Sequence, residues 1–329
     1  MIDKVPQERG IITPTCVVPG RIGVVTVLFD SSSVLPGFFA SLASQEHQDF
    51  HVWAVDNAST DDSVTQCRAQ GDRFTVIANP TNLGVAAGNN QGIHAALDAG
   101  CEYVLLLNND VEFGPELFAR LVNGIHANSC AMTAPIMYYF DRPDVIWAAG
   151  GRFQPLLGYR CYHLQDGVED VGQFTAPRRV QHAPTCCVLF KRSVFETVGF
   201  MDERYFVYHD DTDFMLRCLK ADQRLILLPQ AKLLHKVSSL TGGAESEFSM
   251  RMGTRNRIYM LTKFLGRGLA LPYIAGLALT YLTRRLLRQY DRERYFLKQA
   301  SLSQGFSMAA NWVPYHTLRQ AVSQRSLLK

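Results

Sequence analysis

Four short apolar runs, each followed by a stretch with helical spacing, fill the first 125 residues, and that alternation leaves few folds open. From Ile22 the run IGVVTVLF, rich in β-branched side chains, stops at Asp30-Ser31-Ser32-Ser33, which predicts a buried parallel strand and then a polar loop. Val34 to Ser44 predicts a helix. Phe50 to Val55 predicts a second strand, stopped by Asp56-Asn57-Ala58-Ser59-Thr60-Asp61-Asp62, whose last residues cap a helix through Gln70. Phe74 to Ala78 predicts a third strand, Leu83 to Ala99 a glycine-bearing helix, and Tyr103 to Leu107 a fourth strand ending in Asn108-Asn109-Asp110. This order predicts an α/β fold on a doubly wound, mostly parallel, Rossmann-like sheet. With 329 residues, 47% of them hydrophobic, the chain has the material for such a core, and 19% charged residues argue against a disordered protein.

Residues 131 to 185, with Pro135, Pro143, Pro155, Pro177 and Pro184, predict a loop-rich region. Regularity returns with a strand over Cys186 to Phe190 and a short helix over Ser193 to Val198 ended by Gly199. A helix from Thr212 to Ala221 and a strand over Leu225 to Leu228 follow, before His235.

Doubly wound sheets bind ligands beyond the carboxyl ends of their strands. Asp30, Asp56 and Asp110 each follow a predicted strand; any one alone reads equally as a turn former, and the three together point to a site. Gly84, Gly88 and Gly92 lie four apart and allow close approach by a sheet or by a diphosphate, both readings being open; the spacing is not a nicotinamide dinucleotide fingerprint. Asp110, held at a strand end, suits a hard divalent cation bridged to substrate phosphates, with a polar turn as the plain alternative. Asp210, Asp211 and Asp213 crowd into four residues. A helix start and an Asp213–Arg217 pair explain one or two of them, and mutual repulsion favours a catalytic or metal role for the rest. His235 reads as a metal ligand, a phosphate contact or a structural histidine.

Five segments taken in order carry a family resemblance: VDNASTDDS (Val55 to Ser63), NLGVAAGNNQGI (Asn82 to Ile93), LLLNNDVEF (Leu105 to Phe113), VGFMDERYFVYHDDTDFMLR (Val198 to Arg217), and LLHKVSSLTGG (Leu233 to Gly243) with RNRIYML (Arg255 to Leu261). Together they resemble the inverting family-2 glycosyltransferases, especially the rhamnosyltransferase-like bacterial branch, over Ile22 to Gly266. The resemblance implies the glycosyltransferase A fold, with a nucleotide-sugar half over 22–125 and an acceptor half over 126–266. It implies donor contacts from Asp56, Asn82, Gly84, Asn108 and Asp30, a Mg2+ or Mn2+ ion held by Asp110 and His235, acceptor contacts from Asp202, Glu203 and Asp213, and a base at Asp211 beside Asp210. Three positions depart from the pattern: Asn108 where an Asp-x-Asp pair has its first acid, Asp210 where Glu is usual, and Asp30 where Asn often ends the first strand. The implied reaction moves a sugar, dTDP-rhamnose being the favoured donor, to a glycan or lipid-linked acceptor in cell-surface polysaccharide assembly. The alternative is a non-catalytic nucleotide-sugar or glycan-binding module on a decayed transferase fold.

Charge divides the chain. Residues 1 to 250 carry 19 basic and 28 acidic side chains, a net −9, and residues 251 to 329 carry 14 and 2, a net +12. After an N-terminal extension (1–21) and the catalytic body, residues 267–329 form a basic tail containing LALPYIAGLALTYLT (Leu269 to Thr283), short for a bilayer span but suited to an anionic membrane surface. A helix packed on the body is the other reading. Nucleic-acid binding is disfavoured, because the body is acidic and no stacking-aromatic motif accompanies the basic residues. Eight scattered cysteines without paired spacing, and an N-terminus unlike a secretory signal, point to a cytoplasmic protein peripheral on the inner face of the plasma membrane.

Overall fold

The structure, a computed structural model, describes residues 16–237 and 246–309. The predicted strands form as β1 (Val18–Leu28), β2 (Phe50–Asp56), β3 (Phe74–Ala78) and β4 (Cys101–Leu107), with α1 (Leu35–Ala43), α2 (Ser63–Arg68) and α3 (Val85–Asp98) between them. They lie parallel in the order β4-β1-β2-β3, the doubly wound start that the alternation predicts. Side chains along each strand alternate between two cores, one on each face of the sheet. Val24, Val52, Tyr103 and Leu105 join α1 and α4 (Leu117–Ala127), while Val25, Trp53, Val104 and Leu106 pack on α3. Gly88 and Gly92 face Val27 and Val25 so closely that a Cβ would collide, so of their two readings these glycines serve the packing of α3 on β1.

The region expected to be loop-rich instead holds strands. After β5 (Val111–Phe113) come β6 (Met132–Tyr139), β7 (Arg142–Ala148), β8 (Gly151–Gln154), β9 (Arg160–His163) and β10 (Arg178–Val180). Its prolines hide this pattern because they sit where a missing amide is tolerated. Pro143 is near the start of β7, Pro155 opens a one-turn 3-10 helix, and Pro135 lies in β6 opposite Leu228, where the partner strand slips register before Lys232. The sheet continues past β4 through β11 (Cys187–Lys191), antiparallel to β4, then β6, β12 (Leu225–His235) and β10. The strand expected to stop at Leu228 therefore runs through Pro229 to His235, ending on the same edge as Asp110.

The short helix α5 (Arg192–Val198) precedes α6 (Asp210–Lys220), which begins two residues earlier than expected and takes Asp210 and Asp211 into its first turn. In the tail, α7 (Glu247–Leu286) bends at Gly266, whose backbone is non-helical (φ 78°, ψ 162°). Helix α8 (Arg292–Met308) folds back along it: Lys298 Nζ donates to Thr254 Oγ1 (2.8 Å) before the bend, and Gln299 Nε2 to the Ala278 carbonyl (3.4 Å) beyond it.

Candidate active site

A cavity of about 1570 Å³ lies along the carboxyl edge of the sheet and is closed on one side by α7 and α8. At its β1–β2 end the register sets Leu28 opposite Asp56, which brings the following loops together. Asp30, in left-handed conformation (φ 48°), accepts from Thr60 N (2.7 Å), and its own amide donates to Ser59 Oγ (3.0 Å). Buried Asp56 accepts from Ser59 N at 3.3 Å. Both carboxylates thus shape the 58–60 loop, while Asn57, Asn82, Gly84 and Asn108 line the cavity itself. Gly84 (φ 86°) abuts the Phe206 carbonyl, 2.5 Å from where a Cβ would stand, so no other residue fits there. Asn57 Nδ2 donates to the Gly84 carbonyl (3.0 Å), tying the two segments.

At the sheet's centre Asp110 and His235 meet: His235 Nε2 is 3.3 Å from Asp110 Oδ1, both side chains being buried. Trp147 stands edge-on to the imidazole, 4.4 Å between centroids, and fixes its plane. Burial opposes charge on His235, but Cys186 and Asp110 outweigh it and raise the imidazole to about 10. To bind a metal the imidazole would have to give up that proton; a carboxylate beside a neutral imidazole is then a donor set that a divalent cation accepts. Among the described residues no three His, Cys, Asp or Glu side chains group into a complete protein cage, so an ion here would take other ligands from phosphate and water.

Asp210 and Asp211 line the same cavity. The sequence reading missed the partner of Asp211. His182, 1% exposed, places Nε2 3.7 Å from Asp211 Oδ2, and its ring is stacked on His163 (centroids 5.9 Å) and edge-on to Phe153 (5.8 Å). It follows β10 in the stretch expected to be irregular, where one histidine among prolines carries no signal. Burial alone would push both carboxyls up; contact with His182 and with Thr212 instead brings Asp211 down, and that charge helps raise its neighbour Asp210. Two adjacent carboxyls are thereby made unlike, Asp211 drawn below the usual carboxylate range and Asp210 pushed above it.

Their segment is strained and clamped. Phe206, Tyr208 and His209 all have left-handed backbones (φ 66°, 65° and 64°), which non-glycine residues avoid. Asn256, fully buried on α7, sets its Nδ2 within reach of the carbonyls of Tyr205 (2.9 Å), Val207 (2.7 Å) and Tyr208 (2.8 Å), and Val85 N donates to the Phe206 carbonyl (2.6 Å). The RNR motif is thus a clamp on the acidic segment.

The remaining expected acids are elsewhere. Asp213, 0% exposed, is paired with Arg217 (2.7 Å) and Lys263 (2.6 Å) and accepts from Tyr205 Oη; Asp202 is paired with Lys263 (2.7 Å) and Arg204 (2.8 Å). Glu203 accepts from Asn90 Nδ2 (2.8 Å). None of the three lines the cavity, because each is taken up in fastening α6, α7 and α3 together.

The family model described as glycosyl transferase family 2 matches residues 23–199. Over 241 residues the chain is 28% identical to N-acetylglucosaminyl-diphospho-decaprenol L-rhamnosyltransferase of Mycobacterium tuberculosis, covering 67% of this chain and 77% of that protein. It is 22% identical over 214 residues to the dTDP-rhamnosyl transferase RfbF of Shigella flexneri, covering 65% and 69%. Among solved structures it is similar to GalNAc-T7 with UDP, GalNAc and Mn2+ (TM-score 0.59, 12% identity, 87% of this chain and 56% of that one). It is also similar to S. aureus TarS 1-349 in complex with UDP (TM-score 0.52, 17% identity, 88% and 81%). At such identities these two likenesses are of fold.

Proposed function

The chain belongs to glycosyl transferase family 2 and has the glycosyltransferase A fold, and from that premise we propose that it transfers rhamnose from dTDP-rhamnose to a lipid-linked glycan acceptor, with inversion, in cell-surface polysaccharide synthesis. The rhamnosyltransferase names of two relatives support the sugar, and RfbF the nucleotide. The observation that carries the reading is the convergence of Asp110, His235 and the unlike pair Asp210–Asp211 on one cavity.

In this reading the donor lies across the carboxyl edge, its nucleotide against Asn57, Asn82 and Gly84 and its diphosphate at Asp110 and His235. Mg2+ or Mn2+ held by those two side chains would neutralise the diphosphate as a Lewis acid. Asp211 Oδ takes the proton from the acceptor hydroxyl as that oxygen bonds to the anomeric carbon and the nucleoside diphosphate departs. One displacement, with no sugar–enzyme bond, inverts the centre. His182 orients the carboxylate, and the clamped 206–209 segment holds it still.

The tail supports a peripheral membrane position. Leu271, Ala275, Leu279, Leu282 and Leu286 share one exposed face of α7. By length and composition α7 could cross a bilayer, with 6% of its most apolar window buried. Because α8 packs on α7 on both sides of the bend, the second half lies flat on the surface rather than leaving the domain.

The test is nucleoside-diphosphate release from dTDP-rhamnose by detergent-solubilised protein with acceptor lipid. Asp211→Asn should abolish release with donor affinity retained, and chelation should weaken donor binding. Undiminished turnover in Asp211→Asn removes it as the base.

A further inference from the structure

The cavity is larger than one nucleotide sugar needs, at about 1570 Å³ against roughly 300–1,000 Å³ for ordinary ligand sites. Its charge is also divided. Carboxylates stand at the sheet edge, but the wall made by β9 and α7 carries two guanidiniums, Arg160 and Arg257. Among the described residues neither is ion-paired with a carboxylate; Arg257 donates to the Leu157 carbonyl (2.7 Å), and burial with the nearby Arg160 charge lowers it to about 10. Two like charges close enough to act on each other, neither ion-paired with a carboxylate among the described residues, suit an anion at this wall.

The surroundings of this pair are apolar. Leu157, Leu261, Tyr273, Leu277 and Tyr281 line the same wall. The turn over 155–158 is fastened to α7 by Tyr273 Oη donating to the Leu156 carbonyl (2.7 Å) and by Gly158, left-handed (φ 64°) and packed against Leu261 with no room for a Cβ. The lane opens to solvent at Leu156 and Leu157, which are 88% and 49% exposed.

The donor's phosphates already have a place at Asp110 and His235, so an unpaired cationic wall calls for a second anionic ligand, and an adjoining apolar lane calls for one bearing hydrocarbon beside its phosphate. Resting on the transferase reading above, we propose that this wall binds a polyprenyl-diphosphate-linked acceptor, Arg160 and Arg257 taking the diphosphate oxygens and Leu157, Tyr273 and Leu277 the first isoprenoid units. The lipid then leaves the cavity at Leu156 toward the leucine-bearing face of α7.

The full chain in detergent is titrated calorimetrically with farnesyl diphosphate, inorganic diphosphate and farnesol, and separately with dTDP and UDP in the presence of Mg2+. Farnesyl diphosphate should bind whether or not nucleoside diphosphate saturates the protein, with inorganic diphosphate and farnesol at least tenfold weaker. Arg160→Gln, an exposed side chain whose loss leaves the core intact, and Arg257→Gln should each weaken farnesyl diphosphate at least tenfold and leave nucleotide affinity within twofold. Competition between farnesyl diphosphate and dTDP for one site, unaltered affinity in Arg160→Gln, or inorganic diphosphate binding as well as the lipid would overturn the proposal. Nucleotide binding without farnesyl diphosphate binding refutes the lipid site alone; the reverse result refutes the transferase reading and leaves the lipid site standing.

Discussion

Asn256→Ala separates holding the catalytic segment from merely filling space beneath it. Three of the four residues ahead of α6 are left-handed, at about 1–2 kcal/mol each, so the segment stores roughly 3–6 kcal/mol of backbone strain. The Asn256 amide has two hydrogens for three carbonyls at 2.7–2.9 Å. Losing two such bonds, with the carbonyls left buried, costs about 2–4 kcal/mol. That loss is of the size of the strain it opposes, so the segment should relax and carry Asp210 and Asp211 with it. A displacement near 1 Å costs about 100-fold in rate. Urea unfolding should therefore show a loss of about 2–4 kcal/mol and kcat should fall about 100-fold, while nucleoside diphosphate affinity should fall much less than kcat, because Asn256 touches neither Asn57 nor Asn82 and reaches Gly84 only through Phe206. The same stability loss with kcat unchanged would refute the clamp.

Lys263→Met should destabilise by about 3–5 kcal/mol at pH 7, because it strips Asp202 and Asp213 of a buried partner. Burial pushes Asp202 up, but Lys263 and Arg204 hold it well below the usual carboxylate range; that stability is present above the unfolded value near pH 4 and is lost as pH falls through the folded one. The gap between variant and wild type should accordingly narrow in urea titrations below about pH 4, and a pH-independent gap refutes the ion-pair account. Replacing Leu279, Leu282 and Leu286 together by Ser should abolish flotation with anionic liposomes while leaving activity on a short-chain soluble acceptor intact; unchanged flotation removes α7 from the membrane contact.

What the sequence makes legible is local. Strand ends of the first half are readable because a β-branched run followed by a polar cluster is a short-range signal, and Asp110 and His235 meet as the resemblance implies. Asp202, Glu203 and Asp213 carry the same chemical signal as Asp211, yet they fasten helices; only the partners separate the two uses, and those partners, Lys263 and Asn90, lie 50 to 113 residues away. The strands of 131–185 are hidden by prolines that the sheet tolerates near strand starts and at a register slip. Gly84 illustrates a residue readable as special but not as to why: its neighbour is the Phe206 backbone, brought there by tertiary folding.

His182 is the sharpest case, since its role rests on contact with a carboxylate 29 positions away, and it yields a test by pH. Paired with Asp211, it draws that carboxyl down, and the Asp211 charge helps push Asp210 up. Burial disfavours the imidazolium, but Asp211 and Cys161 raise it to about 10, so the pairing is complete at neutral pH and lapses as pH rises through that value. In His182→Gln the carboxylate loses its cation, its pKa rises, and the adjacent pair shares one proton over the range where the wild type is already ionised. The acid limb of kcat/KM, which reports the base of the free enzyme, should move up by more than one pH unit. The two profiles should converge above the variant's acid limb, where the carboxylate at position 211 is ionised in both proteins. A drop in rate of equal size at every pH would mean that His182 only fills space between His163 and Phe153, and that Asp211 owes its ionisation to something else.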